Sequence, residues 1–230
     1  MVWALATTFV VWLFAIQTGY AVVSPEIQES AGLTLAQIGL AASIYTWVFA
    51  LVQVFSGALL DRFGSRPLLG VAAALVTVGA FLYAGTTSFA ALALAQTVLA
   101  LGASFGFVGA GYIGGKWFAA ARYGLMFGLV QAAASLGSAV ALPAIQLLLH
   151  SITWQQLLLA FGSFGVILTL VFFAIVRDPI LRGEPRDPPR GNVLGGIFRG
   201  LGRCFASPNV VLASIFGGAA FGTMLAVGTL

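Results

Sequence analysis

Apolar residues run in seven long stretches, at roughly 2–23, 36–60, 67–84, 89–115, 124–149, 154–176 and 209–230. A bilayer core takes about 20 apolar residues of α-helix to cross, and each stretch is near that length. The third is the shortest. The first has no basic segment before it and is too long for the apolar part of a signal peptide, so it reads as a retained helix. The expected fold is therefore an all-α integral membrane protein.

The connections alternate in character. On one side lie 24–35, which carries Glu26 and Glu29, the neutral 85–88 and the short 150–153. On the other lie 61–66, 116–123 and the long 177–207. Every basic residue falls on that second side: Arg62, Arg66, Lys116, Arg122, Arg177, Arg182, Arg186, Arg190, Arg199 and Arg203. Basic loops stay in the cytoplasm. The amino terminus is then expected inside and the end of the seventh span outside, in a plasma (bacterial inner) membrane.

The segment 177–207 differs in kind. It is polar and Pro-rich as far as Gly191, with no means of burying a core. Further on, Leu194, Ile197, Phe198, Leu201 and Phe205 recur at helical spacing, with Arg199 and Arg203 off that face. The pattern predicts a short interfacial helix on the cytoplasmic leaflet; its glycines leave a flexible linker as the alternative. Ser207-Pro208 reads as an N-cap followed by Pro at the first helical position. The chain thus divides into a six-helix bundle over 1–176, a cytoplasmic linker over 177–207 and a seventh transmembrane helix over 208–230.

Composition agrees. Hydrophobic residues make up 60% of the chain and charged residues 7%, with a mean hydropathy of +1.06; a soluble domain carries charge on about a quarter of its residues. The net charge of +4 is spread over separate loops, which is a topology pattern and not a nucleic-acid surface. One Cys (Cys204) and one His (His150) offer neither a disulfide framework nor a metal cluster. His150 reads as an interfacial residue of an outer loop. No cofactor is expected, and no nucleophile–base set or phosphate loop suggests an enzyme.

The chemistry-bearing motif lies at the end of the second span. Gly57-Ala58-Leu59-Leu60-Asp61-Arg62-Phe63-Gly64-Ser65-Arg66 fits G-x-x-x-D-R-x-G-x-R. Gly57 would let another helix approach closely, and Gly64 would permit the tight turn between antiparallel spans. Asp61 sits where lipid gives way to water, placed to pair with Arg62 or Arg66 or to cap a neighbouring helix. The plain alternative is a charged hairpin that merely marks the inside.

This motif resembles the signature of the loop between the second and third helices of the major facilitator superfamily. Gly111-Tyr112-Ile113-Gly114-Gly115-Lys116-Trp117-Phe118, followed by Arg122-Tyr123-Gly124-Leu125-Met126-Phe127-Gly128-Leu129, is similar to the junction of the fourth and fifth helices in bacterial organic-anion branches. Pro67 departs from the pattern, where a second basic residue is frequent; a slight shift of loop geometry is expected. The resemblance implies alternating access by two six-helix bundles about a midplane site. It also implies that Asp61 is a latch against the second bundle, supported by Arg62 and Arg66. Since such proteins have about twelve helices, the chain is expected to be a fragment whose C-terminal six-helix bundle is missing. Its partners would be that bundle, the lipid bilayer and a small-molecule solute, by analogy a small organic anion.

Absent features narrow the mechanism. Where many proton-coupled members carry an intramembrane Arg, this chain has Val98; of the fifth-helix G-P-x-x-G-G signature of drug antiporters it has only Gly137 and an isolated Pro143. No Asp, Glu, Lys or Arg lies deep in the first six spans, so coupling residues would come from elsewhere or uniport would apply. Cavity candidates are therefore uncharged. Ser43, Thr46, Ala50, Gln53 and Gly57 share one face of the second span, and Gly124, Gly128, Gln131, Ser135 and Ser138 one face of the fifth. Gln17, Tyr20 and Ser24 lie on the first, and Gln96, Ser104 and Tyr112 on the fourth. Hydroxyls and small residues serve helix packing equally well, as Gly102-x-x-x-Gly106 and Gly111-x-x-x-Gly115 are expected to do. The amides favour a cavity, because lipid satisfies them poorly.

Rival readings fit less well. A seven-span receptor or retinal protein conflicts with an inside amino terminus, and 209–230 has no Lys for a Schiff base. A three-plus-one-plus-three channel gives no reason for the Asp61 motif. A degenerate half-transporter that inserts but moves nothing is a further alternative.

Overall fold

The computed structural model describes residues 1–177 and 193–228. The chain forms two units, Met1–Pro185 and Arg186–Leu230, each taken by itself below. The Pro-rich stretch 178–192 and the final residues 229–230 lie outside the described residues, as do the side chains of Leu194, Ile197 and Leu201.

In the first unit, six helical spans are long and apolar enough to cross a membrane. They comprise α1 (Val2–Ser30), α2 (Leu35–Phe63), α3 (Ser65–Ala84), α4 and α5 (Phe89–Ala103 and Gly106–Trp117, together one span), α6 (Tyr123–Leu149) and α7 (Trp154–Ile175). α3 packs chiefly on α4 and α7, and α1 on α6 and α5. The core lies where they meet, around Phe9, Val10, Leu69, Val76, Leu92, Ile113 and Phe172. α2 and α6 bury far less. The buried residues of α2 are Ile38, Ala41, Ser56 and Leu60, and those of α6 are Val130, Ala134 and Ile145. Leu40, Trp47, Leu51, Leu125, Leu136 and Val140 stand exposed on these two helices. A lipid-facing surface carries such residues without penalty, provided the backbone is satisfied within each helix.

The first interhelical loop is shorter than the charge pattern suggests. α1 continues through 24–30, read above as loop, because its apolar period continues: Ile16, Val23 and Ile27 are all buried. Pro25 lies inside the helix and cannot donate to the carbonyl of Ala21. The Ser24 hydroxyl donates to that carbonyl instead, at 3.3 Å. The helix then stops in a Schellman arrangement, with Leu33 N–H on Gln28 O and Gly32 N–H on Glu29 O and Gly32 at φ +62°. Capping boxes open α2 (Thr34 with Gln37) and α7 (Thr153 with Gln156).

A second correction concerns the fourth span, expected as one helix over 89–115. It breaks at Ser104 and Phe105 into α4 and α5. Two causes coincide there. Ser104, fully buried, donates its hydroxyl to Leu101 O at 2.8 Å, drawing the carbonyl off the helical ladder. Gly102 lies so near α3 that an added Cβ would stand 2.5 Å from Ala72 O. Gly106 likewise abuts Leu13 of α1, so this Gly-x-x-x-Gly pair serves packing.

In the second unit, α8 (Val193–Ala206) and α9 (Pro208–Gly228) are separated by Ser207 alone. The carbonyl of Ser207 accepts from the amides of Val210 and Val211. Pro208 opens α9 where a missing N–H costs nothing.

Candidate functional site

The α2–α3 hairpin turns on one residue. Gly64 has φ +81°, closed to side chains with a Cβ, and its N–H donates to Leu60 O at 2.9 Å. Ser65 starts α3 directly, two residues ahead of the expected start, and Pro67 sits in the first turn. There the N–H groups have no intrahelical acceptor, so Pro67 takes no hydrogen bond from the helix.

The three charges of the motif separate. Arg66 reaches across to α7 and donates through Nε and Nη2 to Phe173 O, at 3.1 and 2.7 Å. A cation there meets the negative end of the α7 dipole. The Arg62 guanidinium lies 5.7 Å from the Phe63 ring centroid. Asp61 is exposed and makes no ion pair among the described residues, contrary to the expected pairing with Arg62 or Arg66. Gly57 also differs from expectation: an added Cβ would lie 3.9 Å from Val108 Cγ1, an ordinary contact, so no helix of this unit approaches it closely.

The hairpin, the α5–α6 junction and the end of α7 share one end of the bundle with the amino terminus. Trp3 meets Phe118 edge to face at 6.0 Å, and Arg66 joins the hairpin to α7. Arg62, Arg66, Lys116 and Arg122 thus gather at one end, and Glu26, Glu29 and His150 at the other. Lys116 Nζ lies 5.3 Å from the Tyr112 ring centroid, a cation–π distance.

The polar candidates are spread over α1, α2, α4, α5 and α6 and differ in burial and partners. Tyr20 donates its hydroxyl to Ile38 O at 2.7 Å and stacks on Tyr83 at 6.1 Å, which ties α1 to α2 and α3. Gln96 is buried, at 4% exposure. Thr46 and Ser43 are exposed on α2 but satisfy themselves on Ala42 O and Gly39 O. Gln17 and Tyr112 are half-buried. Gln53 is half-buried on α2 with no hydrogen bond among the described residues. Gln131, half-buried on α6, reaches Ser135 Oγ only at 3.5 Å. An open cleft of about 490 Å³ lies instead at the opposite end, lined by Glu26, Glu29, Leu149, Thr153 and Trp154 among others. The sequence reading missed it because Glu26, Glu29 and Ser30 on its wall belong to the α1 extension across Pro25.

These features agree with comparison to known proteins. YybO of Bacillus subtilis (strain 168), named as an uncharacterized transporter, is 28% identical over 159 residues, covering 69% of this chain and 37% of that protein. SauU of Cupriavidus necator, named as a probable sulfoacetate transporter, is 27% identical over 158 residues, again 69% and 37%. The chain therefore spans little more than a third of the length of these relatives. A crystal structure of a bacterial homologue of the human lysosomal transporter Spinster, inward-facing and unoccupied, superposes with a TM-score of 0.68 at 18% identity. It covers 83% of this chain and 45% of that one, and at that identity the likeness is one of fold. The profile of the Major Facilitator Superfamily matches residues 4–230, and with six membrane-length helices and the Asp61 hairpin in place, the chain belongs to that superfamily.

Proposed function

We propose that this chain supplies the first half of a solute transporter working by alternating access, with a small organic anion as its solute. The observation that carries the reading is the pair of amides on the least buried helices of the first unit. Gln53 on α2 has no partner among the described residues, and Gln131 on α6 has only a long contact. Lipid offers an amide no hydrogen bond, and leaving one unmade costs roughly 1–3 kcal/mol. Both faces therefore suit a second helical bundle with a hydrated solute path between, where Asp61 would also find its contact. The anionic solute rests on the likeness to a protein named for sulfoacetate transport. Since the Lys and Arg of the first unit sit at helix ends, the charge that neutralises the anion belongs to the remainder of the transporter.

Counterflow in proteoliposomes of the full-length transporter tests this. Labelled short carboxylates and sulfonates should exchange, and neutral sugars should not. Gln53→Leu and Gln131→Leu should each slow exchange several-fold while leaving the folded yield unchanged. Unfolding with unimpaired exchange per folded molecule would make the amides packing groups.

The amino terminus is assigned to the cytoplasm on the clustering of the basic residues at its end of the bundle. In a Cys204→Ala background, His150→Cys should react with an impermeant maleimide added outside intact cells. Ala120→Cys should react only after permeabilisation. The reverse pattern would overturn the orientation.

A further inference from the structure

We infer that α8 is an anchor that lies flat on an anionic membrane surface, its phenylalanines in the headgroup–acyl boundary and its arginines on the phosphates. Phe198 and Phe205 are 66% and 77% exposed. They lie seven residues apart, on one face of a helix of about 3.6 residues per turn. In the sequence, Leu194, Ile197 and Leu201 recur at the same helical spacing. Arg199 and Arg203 fall together, roughly 130° further round at ~100° per residue, and both are exposed. No acidic residue occurs anywhere in α8. A helix with aromatic and aliphatic residues on one face and only cations on the other suits the interface of an anionic leaflet.

Position supports the same occupant. One residue, Ser207, separates α8 from α9, which is largely apolar and has no charged side chain. Wherever α9 enters lipid, the end of α8 is held at that boundary. Its 14 residues extend only about 21 Å at 1.5 Å each. Two large exposed aromatics tethered so near a bilayer have an apolar phase within reach. Gly196, beside Arg199 and Arg203 by register, has nothing within 4 Å of an added Cβ, which leaves that side open to headgroups.

The chain's one cysteine, Cys204, is exposed and lies by register at the edge of the apolar face. It can report depth directly. The full chain, labelled there with an environment-sensitive fluorophore, is placed in nanodiscs of phosphatidylcholine with or without phosphatidylglycerol. In the anionic discs the emission should shift to the blue, be quenched by nitroxide lipids labelled near the headgroup, and resist aqueous iodide. Arg199→Gln and Arg203→Gln should each weaken the preference for anionic discs about fivefold, the factor that corresponds to ~1 kcal/mol per arginine. Phe198→Ser with Phe205→Ser should abolish nitroxide quenching in both lipids. The arginine variants keep the test decisive if the phenylalanine variant does not fold. Iodide quenching without nitroxide quenching would show a solvated linker. Protection from both quenchers would show α8 docked on protein. Either result overturns the anchor.

Discussion

Gly102→Leu should leave almost no folded protein. A Cβ at that position would meet Ala72 O at 2.5 Å, Val76 Cγ2 at 2.7 Å and Val76 N at 2.9 Å. Two of these three atoms are backbone of α3, which cannot move aside as a flexible side chain can. Overpacking of a core ordinarily costs about 1–3 kcal/mol; against a helix backbone the cost lies at or above the top of that range. α3 in turn is the helix on which α4 and α7 both pack, so separating α3 from α4 disturbs half the bundle. The measurement is the monodisperse fraction after detergent extraction, together with the midpoint of thermal aggregation. Gly57→Ala is the paired control. Its Cβ would lie at ordinary contact from Val108, and extraction of this chain should be unchanged. Wild-type yield of Gly102→Leu would mean that α4 stands off α3 and that the break at Ser104 has another cause.

The spans and the hairpin were legible in the sequence because each rests on a local rule. Apolar length marks a helix in lipid, and a turn between antiparallel helices needs a residue that accepts positive φ, as Gly64 does. What escaped was set by tertiary contact or by compensation. Pro25, Glu26 and Glu29 read as loop, yet Ile27 has a core to enter and Ser24 replaces the hydrogen bond that Pro25 removes. The α4–α5 break depends on how near α3 and α1 stand to Gly102 and Gly106, which no single-helix pattern records. Of the candidate site, the sequence grouped Asp61, Arg62 and Arg66 by proximity. It could not show that Arg66 is directed to a carbonyl 107 residues further along the chain, because α7 as its neighbour is a product of the fold. Tyr20 was selected as a polar group in a span; its acceptor, Ile38 O, lies on another helix.

That division of labour within the hairpin leads to opposite expectations for its charges. Arg66→Ala removes two hydrogen bonds from the end of α7 and should lower the thermal midpoint of this chain. Asp61→Asn should leave the midpoint where it is, because Asp61 is exposed and its carboxylate holds nothing among the described residues. In the full-length transporter the order should reverse. If Asp61 meets the second bundle in the state open to the outside and loses that contact in the other, only this difference in contact can shift the balance between states. Couplings of this kind span roughly 5–150-fold, so a decrease in transport rate of about tenfold is expected for Asp61→Asn, with membrane insertion intact. Cysteines placed in the cavity should at the same time become more accessible from the cytoplasmic side, since the outward-open state has lost its latch. A rate loss without that change in labelling would point to a role in solute or ion binding. Unchanged rate and labelling together would reduce Asp61 to a charge that marks the inside, and would leave the motif with the structural duties of Gly64 and Arg66.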